Sequence, residues 1–143
     1  LQKNCFHIYD KGKEDAKITI ITYESLTCSY CADFHKKVYP KLKKEFIDTG
    51  LVKIEFRHFP LDLAALNASK IAQCNNDGKP DLLHFLFLNQ QKWAIGETVE
   101  DANANLKKLL KDENIDIDFE KCTNNKNISE FFFVQLISVC NLF

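Results

Sequence analysis

The stretch KITIITYESLTCSYCADFHKKVYP, residues 17–40, decides the fold. Its first part, Lys17 to Glu24, is dense in β-branched residues and follows the polar turn Lys11-Gly12-Lys13-Glu14-Asp15. It therefore reads as a buried strand. From Cys28 to Asp48 apolar residues recur every three or four positions, at Cys31, Phe34, Val38, Leu42 and Phe46. That is the period of a helix face. Pro40 falls inside the run, where its missing N–H predicts a kink, and Gly50 ends it. Val52, Ile54 and Phe56 then alternate with Lys53, Glu55 and Arg57, which predicts a second strand with one apolar face. Strand, helix, strand in this order predicts a βαβ unit with parallel strands and a right-handed crossover.

At the start of the helix stand two cysteines separated by two residues, Cys28-Ser29-Tyr30-Cys31. Such a pair can close a disulfide within one turn. The first sulfur faces unpaired backbone N–H groups and the positive end of the helix dipole, which stabilise a thiolate. The thiolate is the attacking species in disulfide exchange. Cys28 is thus the expected exposed nucleophile, and Cys31, one turn in on the apolar face, the expected buried resolving thiol. Ser29 and Tyr30 would tune the potential through hydrogen bonding to the Cys28 sulfur and local polarity. Two alternatives are a purely structural pair and a zinc site built from Cys28, Cys31 and His35. No second CxxC and no paired histidines follow at finger spacing, so no metal is assigned. No cofactor is required, because the sulfurs carry the electrons.

Beyond Phe59-Pro60 the strands give way to helical patterns. Leu61 to Asn76 is periodic and alanine-rich, Asp77-Gly78-Lys79-Pro80 breaks it, and Pro80 suits the first turn of a helix from Asp81 to Gln91. After Gly96, Thr98 and Asp101 resemble a capping box opening a helix through Asp112. Asp118 to Cys122 reads as one more helical turn. From Ser129 onward the only charged residue is Glu130, and FFFVQLISV fits a buried strand or a helix equally.

The chain has 143 residues and 45% apolar content, enough for one domain with a core. A net charge of -1 argues against nucleic acid as a partner. No apolar run reaches the length of a membrane span. Residues 1–10 do not read as a signal peptide, and the chain has no methionine, so a processed, trimmed or partial product is expected. Six cysteines, an even number, suit an oxidising compartment. Export followed by signal removal, to the periplasm or an equivalent space, is the expected localisation.

TYESLTCSYCADFHKKVYP (residues 22–40) resembles the active-site segment of DsbA-like thiol–disulfide oxidoreductases. FRHFPLDLAALNASKIAQC (56–74), LFLNQQKW (86–93) and IDFEKC (117–122) resemble later landmarks of that family. The resemblance covers roughly residues 12 to 128. It implies an α/β fold, a thioredoxin-like domain interrupted by an inserted helical domain. Residues 1–60 would be the N-terminal thioredoxin part, 61–122 the insertion and 123–143 a divergent apolar tail. It further implies oxidation of cysteine pairs in reduced or unfolded exported proteins through Cys28 and Cys31, with a membrane partner that reoxidises the pair. A second disulfide inside the helical domain occurs in some relatives, and Cys74 and Cys122 are placed for one; two buried free thiols are the alternative. A Cys5–Cys140 bridge is also open.

Three departures stand out. Ser29-Tyr30 replaces the family's frequent Pro-His. The acidic residue often found six before the first cysteine is Thr22 here, with Glu24 on the same strand face as a substitute; a solvated strand-end carboxylate is the alternative. Pro40, Pro60 and Pro80 are the only prolines, and none fits the family's cis-proline position, so the C-terminal strand region carrying it is expected to be missing. The tail after Glu130 would then cover the βαβ unit, as a strand or as a helix. A weakly active or non-catalytic remnant, and a reductase or isomerase of the same fold, are the rival readings. His7, His35, His58 and His84 are scattered, and His35 reads as a helix-surface residue without a role.

Overall fold

The computed structural model describes residues 9–74 and 80–140. Three strands form one sheet in the order β1-β3-β2: β1 is Tyr9–Lys11, β2 Ile18–Glu24 and β3 Val52–His58. β2 and β3 run parallel, with Ile20 opposite Ile54 and Glu24 opposite His58. β1 adds to the other side of β3 antiparallel, pairing Tyr9 with Phe56. The alternation expected of β3 holds: Val52, Ile54, Phe56 and His58 are buried. β2 differs from expectation. It is the outer strand of this sheet, and Ile18 and Ile21 are exposed. β-branched residues suit any pleated strand, so composition alone does not separate a central strand from an edge.

The crossover between β2 and β3 is helical over residues 29–47, but not uniformly. α1 (Ser29–Asp33) passes into a π turn at Phe34–Val38, then α2 (Tyr39–Leu42), then a second π turn at Lys43–Ile47. Pro40 sits in the first turn of α2, immediately after the first π turn, so the expected kink is realised as a change of helix type. Each π turn adds a residue to the repeat and rotates the buried face. His35, Tyr39 and Ile47 therefore point inward, while Val38 and Phe46, read from the sequence as core, are exposed. Gly50 closes the segment at φ 83, a conformation only glycine adopts cheaply.

Six helices follow among the described residues: α3 (Leu63–Cys74), α4 (Asp81–Leu88), α5 (Gln90–Trp93), α6 (Val99–Asp112), α7 (Phe119–Thr123) and α8 (Lys126–Cys140). Side-chain caps mark the starts of α3, α6 and α7. Asp62 accepts from Ala65 N–H at 2.7 Å. Thr98 and Asp101 form the reciprocal capping box. Asp118 accepts from Lys121 N–H at 3.0 Å. The helix expected over 81–91 is broken at Asn89, whose side-chain amide donates to Phe85 C=O at 2.9 Å and competes with the helix ladder. Gly96, at φ 113, lies so close to the capping Asp101 that a Cβ there would stand 2.3 Å from the Asp101 Cβ.

Cys74, at the end of α3, is joined to Cys122 in α7 by a disulfide with Cα atoms 5.5 Å apart. The apolar tail is helical as α8 and packs on α3 and β3. Ile128 and Phe132 are buried there, with the Phe132 ring 4.9 Å from that of His58, while Phe133, Val134 and Ile137 are exposed. Cys5 and the Cys140 side chain lie outside the described structure, as does the break expected over residues 77–79. All peptide bonds of the described residues are trans. No helix is long and apolar enough to cross a membrane among those residues.

Candidate active site

β2 ends at Glu24, and the turn Ser25 to Thr27 delivers Cys28 to the N-terminal end of the crossover helix. Three anchors fix this turn. Leu26 is fully buried. Cys28 N–H donates to Ser25 C=O at 3.0 Å. Gln90, buried in α5, donates its amide to Leu26 C=O at 2.8 Å and Cys28 C=O at 2.9 Å. The helical block thus holds the backbone on which the first cysteine stands. Nothing local in the sequence marks Gln90 for this task, because its partners lie more than sixty residues earlier in the chain.

Cys28 and Cys31 are free thiols, and both are partly buried. The expected contrast of an exposed and a buried sulfur is therefore softer in burial than in acidity. Burial pushes the Cys28 thiol up, but hydrogen bonds from the Cys31 backbone, the Cys31 thiol and the Tyr30 backbone outweigh it, and the thiol ends below its ordinary value. Burial dominates at Cys31. Aided by the Cys28 sulfur and the Glu24 carboxylate, it overrides a hydrogen bond with the Ser25 backbone and pushes this thiol up to about 11. One sulfur is poised to be an anion and the other to hold a proton. Ser29 and Tyr30 are exposed, the Tyr30 ring by 84%. It is the Tyr30 backbone, not its ring, that reaches the Cys28 sulfur.

Glu24 is buried at 5% exposure, which removes the solvated alternative. Its carboxylate meets His35 Nε2 at 2.7 Å. His35, read from the sequence as a surface histidine, is only 3% exposed, because the π turn carries it to the inner face. Its second nitrogen, Nδ1, lies 2.6 Å from Nδ1 of His84 on α4. Both His35 nitrogens are thus engaged away from the thiols, so it does not complete a zinc site with Cys28 and Cys31. The ring stacks on Phe87 at 4.1 Å. Sequence reading missed this cluster: His35 and His84 are 49 positions apart, and the helical period placed His35 outside.

A CxxC that opens a helix behind a parallel strand, with a buried carboxylate beneath it, is the layout of a thioredoxin-like thiol-redox protein. A family model described as Thioredoxin matches residues 7–135, and the chain belongs to that family. Within it the likeness is to DsbA proteins. The crystal structure of Wolbachia pipientis alpha-DsbA1 superposes with a TM-score of 0.80 at 32% identity, covering 94% of this chain and 68% of that one. A Rickettsia bellii relative named as a protein-disulfide oxidoreductase is 31% identical over 123 residues, covering 83% of this chain and 46% of its own length. Disulfide bond formation protein D of Bacillus subtilis is 32% identical over 91 residues, 57% of this chain and 41% of that protein. The chain spans about half the length of the curated relatives it matches.

Proposed function

We propose that this chain is an exported thiol–disulfide oxidoreductase that oxidises cysteine pairs in substrate proteins through a Cys28–Cys31 disulfide. The observation that carries this reading is the free Cys28–Cys31 pair at the start of the crossover helix behind β2, where Cys28 is lowered and Cys31 pushed up to about 11. A substrate thiolate attacks the Cys28 sulfur, and Cys31 departs and takes a proton. A second substrate thiolate then closes the substrate disulfide and releases Cys28 as the stabilised anion. Stabilising that anion favours the reduced protein, hence oxidation of the partner. Glu24 tunes the pair through its charge, and Ser29 and Tyr30 set local polarity. A membrane partner returns the pair to the disulfide. The Cys74–Cys122 bond fits the oxidising compartment that export supplies.

The test is oxidation of a model peptide carrying two cysteines by the oxidised 143-residue chain. The reading expects stoichiometric peptide disulfide and loss of activity in Cys28→Ser. Among the described residues β2 pairs only with β3, and Ile18 and Ile21 are exposed, which favours a second reading, a weakly active or non-catalytic remnant. Failure of the intact chain to oxidise the peptide would replace the first reading by the second. An equilibrium with glutathione that leaves the pair oxidised would indicate a reductase instead.

A further inference from the structure

Beside the turn that carries Cys28 lies a groove of about 570 Å³ between the start of α3 and the α5–α6 loop. Thr27, the residue before Cys28, lines it. Its floor is made of small side chains, the half-buried Ala64 and Ala94 and the buried Ala102. Leu63 and Ile95 stand in its walls, 65% and 51% exposed. Leu63 takes no part in the core, for α3 buries Ala65, Ala68 and Ile71 instead. Exposed aliphatic side chains around a concave surface mark interaction sites.

Hydrogen bonds hold this groove to the thiol pair. The Thr27 hydroxyl donates to Asp62 at 2.6 Å, and Asp62 in turn accepts from Ala65 N–H in α3 at 2.7 Å. Leu61 N–H donates to Ser25 Oγ at 3.3 Å. Asn67 on α3 donates its amide to Asn103 on α6 at 3.3 Å, and Asn105 on α6 donates to the Ile95 carbonyl at 3.1 Å. Each wall is thus tied to the next and to the turn before Cys28, so little ordering remains for a ligand to impose. Two acidic residues, Asp62 and Glu97, line the groove, and no lysine or arginine lines it among the described residues. Both acids are exposed, so a cation meets them without leaving water.

We propose that this groove selects substrates: it takes a bulky aliphatic side chain a few residues from the substrate cysteine bonded to Cys28, with a lysine or arginine beside it. The inference rests on the oxidoreductase reading above and names its substrate class. A mixed disulfide fixes the substrate chain at Cys28, next to the lining Thr27. An extended chain advances about 3.3 Å per residue, so its side chains pass the groove within roughly two to four residues of the bonded cysteine. The aliphatic group displaces water from Leu63, Ile95 and the alanines, and the cation stands at Asp62 and Glu97. Neither contact changes the sulfur chemistry. Both hold the substrate thiols near the pair and so raise their effective concentration there.

Four peptides test the proposal. They differ only in the residues two and three positions to either side of the first of two cysteines, which are Leu-Lys, Leu-Glu, Ser-Lys or Ser-Glu. The second-order rate of their oxidation by the oxidised 143-residue chain is measured, divided by the same chain's rate with dithiothreitol, which has no side chain to place. Leucine is expected to raise the rate about tenfold over serine, the low end of what burying such a side chain gives. Lysine should gain about threefold over glutamate, and less as salt rises. Leu63→Ser/Ile95→Ser should remove the leucine advantage, and Glu97→Lys most of the lysine advantage; all three positions are exposed, so the core is untouched. Advantages that persist in these variants come from the peptides' own thiols and overturn the proposal. Equal rates, together with a parent dimer that dissociates in the double variant, would assign the groove to a second copy and overturn it too. Should the variants not fold, the mixed disulfide of Cys31→Ser with the Leu-Lys peptide decides: shifted backbone amide signals are expected at Leu63, Ile95 and Glu97, and shifts confined to residues 25–31 overturn the groove. A chain that oxidises none of the peptides sinks the oxidoreductase reading and the groove with it, whereas four equal rates sink the groove alone.

Discussion

The molecule carries two cysteine pairs that differ in almost every physical respect. Cys28 and Cys31 lie one turn apart at a helix start, partly exposed and free. Cys74 and Cys122 are 48 positions apart, tie α3 to α7, and are joined; Cys122 is 2% exposed. The first pair closes almost no loop, so its bond constrains the unfolded chain little, and its chemistry is set by backbone N–H groups and a buried acid. The second closes a long loop and is buried at Cys122, while Cys74 is half-buried. Short spacing with unequal acidity makes a pair suited to exchange, while long spacing with burial makes one suited to permanence.

The largest expected effect sharpens the first half of this contrast. Cys28→Ser should bring peptide oxidation to background, while Cys31→Ser, offered a disulfide-bonded peptide, should attack it through Cys28, release one peptide sulfur as a thiolate and hold the other as a mixed disulfide on Cys28, detectable by mass spectrometry. Loss of activity in Cys31→Ser without any adduct would reverse the assigned roles.

Removing the second pair should act on stability alone. In the chain-entropy model a loop of this length is worth about 4 kcal/mol. Cys74→Ser/Cys122→Ser should therefore lower denaturant stability by up to that amount and leave the Cys28 thiol acidity unchanged. A shift in that acidity would mean the two pairs are coupled.

Acid should weaken the fold around a third buried group. His58 sits on β3 against Tyr9 and Phe132, its Nε2 unpartnered, and burial holds it down at about 3. Above its unfolded value of 6.5 both states are neutral and nothing is lost. As pH falls from about 6.5 toward 3, the unfolded chain binds a proton that the folded chain refuses, so stability drops, by an amount on the order of 4 kcal/mol at the lower end. His58→Leu should remove most of this slope below pH 6 in urea titrations. An unchanged slope would place the acid sensitivity elsewhere, His84 being the next group held at about 3.

A smaller effect links the two regions. Gln90→Leu strips a donor from the Leu26 and Cys28 carbonyls, which should cost roughly 1–3 kcal/mol and lower Tm. A neutral outcome in thermal unfolding would show that the block does not hold the catalytic turn.

How much of this was legible in the sequence depended on range. The βαβ unit, the CxxC at a helix start, the capping box at Thr98 and the break at Gly96 are written in residues within a few positions of one another. So is the alternation of β3. What escaped was set by distance or by a change of period. The π turn at Phe34–Val38 rotated His35 inward, where a uniform 3.6 repeat leaves it outside. His84 and Gln90 act on residues 49 and more than sixty positions away. The tail's choice of helix over strand came from its packing on α3 and β3, which no local apolar run encodes. β2 read as buried because β-branched residues do not record how many neighbours a strand has.

The most direct test of the contrast between the pairs is a single redox titration. The chain is equilibrated across glutathione ratios, acid-quenched, alkylated, and each cysteine pair scored by peptide mass. Cys28–Cys31 should titrate reversibly while Cys74–Cys122 stays oxidised across the range, in line with a potential below that of the glutathione pool. Opening of Cys74–Cys122 before Cys28–Cys31, or the two pairs titrating together, would contradict it.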